Sequence, residues 1–482
     1  MRISHVLVRF MIKINVDGRV LSCEKGERLS EVFMRYGIES PHPCAGRGSC
    51  MKCRVSVDGE EKLSCQYIIE RDVTVSLPER RDIEVEFFCD GTDFDDGELF
   101  YALDIGTTTL ALSLSAFDGR EICRVNALNP QRLFGADVIS RIEQCSRGGA
   151  ASLQFPLIQR INEMTNAVGR RVKTMFAAGN ATMLHLLLGV DCTSIGVAPY
   201  TPIFLDEREI IAAEIGLSGC ERLRVLPSAH SFVGADVVAG LGLIDMPKDE
   251  KCSLFVDLGT NAEIALVSKD RILCTAAAAG PCFEGSNIKC GMSALSGAVC
   301  SVTLNIGGES AAGFGRLSVE TIGGGEPRGI CATGLIDSIF WLLQTDKIEE
   351  SGYIEEDFYL SDNVYLSPAD VRNFQLAKSA VHSAMEALMS LAGIGFEDIE
   401  VLYLSGGFAQ KLSVFRAAYV GLIPRKLAGR CRILEDSCLN GIIKYACGGY
   451  DPSVIADISE YCDLSEDPVF AEKFIENMSF EL

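Results

Sequence analysis

Apolar and polar residues alternate through Met11-Ile-Lys-Ile-Asn-Val-Asp-Gly-Arg-Val-Leu-Ser22, with the turn pair Asp17-Gly18 at the centre. Alternation on both sides of Asp-Gly predicts a β-hairpin. Leu29, Val32, Phe33 and Tyr36 then fall at helical spacing and Gly37 closes the run, so a short helix follows. A second strand-turn-strand centres on Asp58-Gly59, and Val73-Thr-Val-Ser-Leu77 is a last strand stopped by Pro78. The pattern changes over residues 79–99, where Glu79, Arg80 and Arg81 lead into Asp90, Asp93, Asp95, Asp96 and Glu98. This stretch reads as an acidic linker that tethers the first domain and lets it swing.

From residue 100 the apolar runs lengthen. Tyr101-Ala-Leu-Asp-Ile-Gly-Thr-Thr-Thr-Leu-Ala-Leu-Ser-Leu114 reads as a buried strand, a tight loop and a second strand; Leu254-Phe-Val-Asp-Leu-Gly-Thr-Asn-Ala-Glu-Ile-Ala-Leu-Val267 repeats it 153 residues later. Val401-Leu-Tyr-Leu-Ser-Gly-Gly407 is a strand running into a double glycine. The predicted division is 1–78, a linker at 79–99, and two related halves at 100–250 and 251–482.

A chain of 482 residues is too long for one core, in keeping with that division. Acidic residues outnumber basic ones 66 to 44, a net charge of -22, which argues against nucleic acid and anionic membrane as partners and for a protein or small molecule. The 20 cysteines are scattered through apolar segments with no signal peptide before them, as expected of a reducing cytoplasm. No apolar run is long enough to span a bilayer.

Four of the cysteines stand apart: Cys44-Ala-Gly-Arg-Gly-Ser-Cys50-Met-Lys-Cys53, with Cys65 following in Leu63-Ser-Cys-Gln66. Structural zinc sites are usually built from two short Cys-x2-Cys pairs. A three-cysteine loop with a distant fourth is instead the ligand pattern of [2Fe-2S] ferredoxins, whose plant form has a first gap of four residues. The first gap here is one residue longer, which resembles the adrenodoxin-like branch, and Gly46 and Gly48 let the backbone approach the sulfides. An iron-sulfur cluster is therefore expected, with zinc as the alternative. With its hairpin, helix, cysteine loop and returning strands, this part of the chain resembles the β-grasp ferredoxin fold. The other cysteines, Cys431, Cys438, Cys447 and Cys462 among them, show no paired spacing and read as packing residues.

Each long repeat ends an apolar strand on Asp, then gives Gly so that the backbone can pass close to a phosphate, then Thr to donate to its oxygens. A lone copy could be an ordinary hairpin. The two copies together with the double glycine resemble the ATPase superfamily of acetate and sugar kinases, actin and heat-shock chaperones: two ribonuclease-H-like α/β lobes with nucleotide between them. The fold class expected is thus α+β multidomain, a β-grasp [2Fe-2S] domain followed by a two-lobed actin/acetate-kinase-like ATPase.

Asn129-Pro-Gln, Gly135-Ala-Asp-Val-Ile-Ser-Arg-Ile142, Ala178-Gly-Asn-Ala-Thr-Met-Leu-His-Leu-Leu-Leu-Gly189, Val197-Ala-Pro-Tyr-Thr-Pro-Ile-Phe204, Ala279-Gly-Pro-Cys-Phe-Glu-Gly-Ser-Asn-Ile-Lys-Cys-Gly-Met292 and Gly329-Ile-Cys-Ala-Thr-Gly-Leu-Ile-Asp337 narrow this further. They resemble the reductive activators of corrinoid proteins. Met51 and the segment Asp436-Ser-Cys-Leu-Asn-Gly441 depart from that pattern. The resemblance implies ATP-dependent return of Co(II) corrinoid to Co(I) on the corrinoid protein of a methyltransferase system, electrons coming from a donor protein through the cluster. It also implies Mg2+, with a homodimer as a possible assembly. An iron-sulfur redox sensor with nucleotide-binding lobes and a small-molecule kinase are the rival readings.

On this resemblance Cys44, Cys50, Cys53 and Cys65 hold the cluster. Asp104 and Asp257 take Mg2+ and its waters, Gly106, Thr107, Thr108, Gly259, Thr260 and Asn261 take the phosphates, and Gly406 and Gly407 lie beside adenosine. Two carboxylates in twin Gly-Ala-Asp-Val contexts, Asp137 and Asp236, are candidates to orient the attacking water, and either can instead cap a helix. His185, on an apolar helix, reads as a core residue. The segment Gly280–Gly291, with Glu284, Ser286, Asn287 and Lys289, is expected to touch either corrinoid or nucleotide.

Overall fold

The computed structural model describes residues 11–36, 38, 53–77, 83–89, 95–135, 137–247, 250–280, 282–285, 287–305 and 316–480. The cysteine loop carrying Cys44 and Cys50 lies outside them, as does Gly37. The first unit is a five-stranded sheet in the spatial order Arg19–Glu24, Met11–Val16, Val73–Ser76, Arg54–Val57, Glu60–Leu63. Met11–Val16 pairs antiparallel with its hairpin partner and parallel with Val73–Ser76, the β-grasp arrangement the sequence predicts. Asp17 and Gly18 turn the hairpin with positive φ of 46° and 89°. The helix Leu29–Arg35 seals one face with Leu29, Val32 and Phe33, all 0% exposed.

A seven-stranded sheet follows, in the order Arg208–Ile211, Cys220–Val225, Val172–Gly179, Leu99–Ile105, Thr109–Ala116, Glu121–Leu128, Ile83–Phe87. A six-stranded sheet has the order Cys431–Ile433, Ile399–Ser405, Cys252–Leu258, Ala262–Val267, Ile272–Ala277, Ser459–Tyr461. The two share one topology. In each, the strand that ends on the Asp-x-Gly-Thr loop pairs antiparallel with the strand after the loop and parallel, on its other side, with a later strand. The repeat read from the sequence is thus a repeat of structure. A hairpin, Ala298–Asn305 with Arg316–Thr321, is inserted in the second lobe, and a 25-residue helix, Pro368–Ala392, runs through its core from a Ser367/Asp370 capping box.

Two boundaries differ from expectation. Residues 79–99, expected as a free linker, contain the strand Ile83–Phe87, which pairs antiparallel with Glu121–Leu128 as the edge of the first-lobe sheet. Ile83 and Val85 pack on the first-lobe core, so apolar alternation docks a segment whose acidic residues suggest a tether. The helix Ser437–Ala446, expected in the second half, belongs by packing to the first. Its Cys438, Leu439 and Ile442 join the core of the Leu99–Ile105 sheet, an apolar face that burial carries across the chain division. Among the described residues, no helix is long and apolar enough to cross a membrane.

Candidate functional site

The two Asp-x-Gly-Thr loops leave the ends of central strands, so their Asp side chains sit at the rim of each sheet while the strands behind are fully covered. Asp104 and Asp257 are partly buried and close enough to Asp236 for its charge to act on both. Burial, then that neighbouring charge, pushes each carboxyl up to about 7. Asp236 is itself raised to about 6 by burial, and Glu263, on the strand after the second loop, is raised by burial and by the charges of Asp236 and Asp257. Four carboxylates buried this close together resist ionisation, and a divalent ion would relieve all four. Among the described residues no three His, Cys, Asp or Glu side chains converge as direct ligands to one ion. Carboxylate oxygens are nonetheless the donors a hard divalent cation takes, directly or through its waters.

The first loop is braced from behind by the motifs singled out in the sequence. Asn129 Nδ2 donates to Gly106 O at 2.8 Å, and Asn180 Nδ2 lies 3.4 Å from Thr107 Oγ1 while its Oδ1 caps the helix Ala181–Leu188. Arg141 donates to Thr107 O, to Gly135 O at 3.1 Å and to Gln131 Oε1 at 3.4 Å, with 0% of its side chain exposed. Burial lowers its pKa to about 9. Among the described residues no carboxylate forms an ion pair with it, and the charges of Asp137 and Glu284 act on it from further off. Sequence reading missed this role. The available signal was an arginine on the apolar stripe of a helix, beside Ile142 and Cys145.

The second loop is built against the double glycine. Gly406 has φ +108°, and a Cβ there would lie 2.2 Å from Leu258 O, so only glycine lets the end of Ile399–Ser405 cross so near the loop; around Gly407 a Cβ would meet nothing within 4 Å. From the segment expected to touch corrinoid or nucleotide, Glu284 reaches both loops. Its Oε1 accepts from Thr260 Oγ1 at 2.6 Å and lies 3.5 Å from Thr108 Oγ1.

The twin carboxylates part company. Asp137 is exposed and caps the helix Val138–Gly148, accepting from Ser140 N at 2.7 Å, whereas Asp236 sits among the cleft carboxylates. Cys438 also faces this group: its thiol is hydrogen-bonded to Asp104 and its pKa is raised by burial first. His185 is a core residue, as read: Nδ1 donates to Ala181 O at 2.7 Å, Nε2 accepts from Ile203 N at 3.1 Å, and the ring stacks on Phe204 at 4.3 Å.

In the first unit Cys53 and Cys65 are 2% and 1% exposed, and Ser64 N donates to Cys53 O at 2.9 Å, which ties the two cysteine segments side by side. Gln66 Nε2 lies 3.8 Å from Cys65 Sγ. Two covered, adjacent thiols, one with an amide donor at its sulfur, fit a cluster held partly by these residues.

Comparison with known proteins agrees in each part. The C-terminal ASKHA domain of RACo matches residues 251–481, the RACo middle region residues 99–249, and a 2Fe-2S iron-sulfur cluster binding domain residues 9–79. The corrinoid activation enzyme RamQ of Eubacterium limosum is 28% identical over 425 residues, 79% of this chain and 70% of its own length. The [Co(II) methylated amine-specific corrinoid protein] reductase of Methanosarcina barkeri is 27% identical over 387 residues, 72% of each chain. A solved structure named reductive activator for corrinoid, iron-sulfur protein superposes with a TM-score of 0.70 at 25% identity, over 97% of this chain and 98% of that one. A ferredoxin domain joined to two lobes of one ATPase-type duplication, matched by both RACo models in sequence, means that the chain belongs to the RACo family of reductive activators of corrinoid proteins.

Proposed function

We propose that this protein uses ATP to return an inactive Co(II) corrinoid, carried by the corrinoid protein of a methyltransferase system, to Co(I). Electrons come from a donor protein by way of Cys44, Cys50, Cys53 and Cys65. The observation that carries the reading is the union in one chain of a β-grasp domain with paired buried cysteines and a carboxylate-lined cleft between two Asp-x-Gly-Thr loops. When bound, a [2Fe-2S] cluster supplies one-electron transfer, near about -400 mV in plant-type ferredoxins. Each further 100 mV costs about 2.3 kcal/mol per electron. A preference of the nucleotide for one lobe arrangement can offset a cost of that size.

Within the cleft, Gly106, Thr107, Thr108, Gly259, Thr260 and Asn261 hold the phosphates, and Asp104 and Asp257 hold Mg2+ through its waters. Arg141 balances phosphate charge from behind the first loop. Asp236 orients the attacking water, the role for which its burial among the cleft carboxylates suits it better than the exposed helix cap Asp137. Gly406 and Gly407 border adenosine. The domains are 1–78 for the cluster, then lobes at 100–250 and 251–482, with the helix Ser437–Ala446 packing in the first lobe.

An anaerobic spectral assay with a reductant, a corrinoid protein and ATP tests this. Co(I) is expected with ATP and not without it. Cys53→Ser is expected to lose the cluster's visible absorbance and Co(I) formation while still binding ATP. Equal rates with and without ATP would refute the coupling, and ATP turnover with no effect of the cysteine change on Co(I) would refute the electron route.

A further inference from the structure

Glu284 draws on both lobes at once. Thr108 comes from the first loop and Thr260 from the second, and the Glu284 carboxylate lies 3.5 Å from one hydroxyl and accepts from the other at 2.6 Å. The segment that carries it is tied to the rest of the lobe. Gly285 has φ +76°, and a Cβ there would lie 2.4 Å from Met292 N. Lys289 N donates to Asp370 Oδ1 at 2.8 Å, Asn373 Nδ2 donates to Asn287 O at 2.6 Å, and Met292 N donates to Ile330 O at 2.9 Å. Asp370 is the buried capping residue of the long helix Pro368–Ala392, and Gly329–Ile330 pairs with the inserted hairpin. A displacement of Glu284 would be passed to both elements.

A terminal phosphate held by both loops needs the hydroxyl protons of Thr108 and Thr260. Each hydroxyl has one proton to give, and two anions at one donor repel. We propose that Glu284 is a positioning residue through which ATP binding moves the turn at Gly285 and residues 287–292: the terminal phosphate takes the threonine hydroxyls and the carboxylate is expelled. ADP ends one phosphate short and leaves Glu284 where it is. The inference rests on the reading of the two loops as phosphate-holding.

The test is calorimetric titration of ATP and ADP, each with Mg2+, into the full-length protein and into Glu284→Gln and Glu284→Asp. The glutamine keeps the length and the acceptor oxygen but removes the charge. It is expected to bind ATP about tenfold tighter, the equivalent of about 1.4 kcal/mol, and to leave ADP affinity within about threefold. Glu284→Asp, which keeps the charge but draws it back by one methylene, should give a ratio of the two affinities between those of wild type and Glu284→Gln. In wild type, hydrogen exchange at Lys289 and Met292 should rise with ATP and not with ADP, a measurement that needs no variant to fold. Unchanged ATP affinity in Glu284→Gln, weakening of ATP and ADP alike, or an exchange response equal for both nucleotides would overturn the proposal while leaving the phosphate loops in place. Failure of wild type to bind ATP at all would remove the reading beneath it.

Discussion

The two lobes carry the same strand-loop-strand device, yet what surrounds the loops differs. Behind Thr107 of the first stands the guanidinium of Arg141, hydrogen-bonded to neutral groups; beside Thr260 of the second stands the carboxylate of Glu284, with Glu263 on the following strand. Duplication supplied two equivalent places for a loop. The side chains around them give the two places different charge, a guanidinium behind the first and carboxylates beside the second. Each lobe also buries a lone cation, and position separates their roles. Arg141 touches the loop, whereas Lys378 donates to Ser479 O and lies over Phe480, 4.9 Å from Nζ to the ring centre, in the packing of the chain's last helix.

The largest break in this comparison comes from Arg141. Arg141→Met strips donors from the partly buried carbonyls of Thr107 and Gly135 and from buried Gln131, and an unmet buried acceptor costs about 1–3 kcal/mol. Denaturant melts should show a loss of about 3 kcal/mol, and nucleotide titration of the folded fraction a weaker grip on ATP. Full ATP affinity in this variant would end the role given to Arg141 in balancing phosphate charge.

The next effect is at the cleft carboxylates. Asp257→Asn should weaken Mg2+-dependent nucleotide binding by about 10- to 100-fold, the usual size for a group acting through a metal's outer contacts, with the cluster spectrum unchanged. Asp104→Asn run beside it sharpens the comparison, because equal losses mean that both lobes share the ion, and unequal ones name its owner.

The smallest effect belongs to Lys378. Burial lowers its pKa from 10.5 to about 7, so between those values the unfolded chain binds a proton that the folded chain does not. Stability conferred by this group therefore rises with pH above 7 and is lost as pH falls through 7. Replacing it by methionine removes the slope. The stability of Lys378→Met relative to wild type should fall by roughly 1 kcal/mol per pH unit above 7, read from urea melts, with nucleotide affinity unmoved. A change in ATP binding would mean that the second lobe's cation also reaches the cleft.

What the sequence made legible was whatever local spacing encodes. The Asp17-Gly18 turn, the repeated Asp-x-Gly-Thr and the core role of His185 could all be read from neighbours along the chain. The twin Gly-Ala-Asp-Val segments could not be separated that way, since the same four residues lead into a helix at both places and only burial distinguishes Asp236 from Asp137. The contacts that Arg141 and Glu284 make with the first loop escaped for a related reason. Their partners lie 34 and 176 residues away, at Thr107 and Thr108, and no periodicity reports a contact of that span. The linker misled through composition, because its acidic residues drew attention from the alternation of Ile83 and Val85.

The helix Ser437–Ala446 gives the lobes more than one covalent connection. The chain leaves the first lobe before Cys252, returns to it after Ile433 by way of Asp436, which is held by Arg124 of one lobe and at 2.6 Å by Gln410 of the other, and leaves it again before Ser459–Tyr461, the edge strand of the six-stranded sheet. Bodies joined at three places cannot slide or twist freely on one another, so a ligand that fills the cleft acts on surfaces carried by both lobes together.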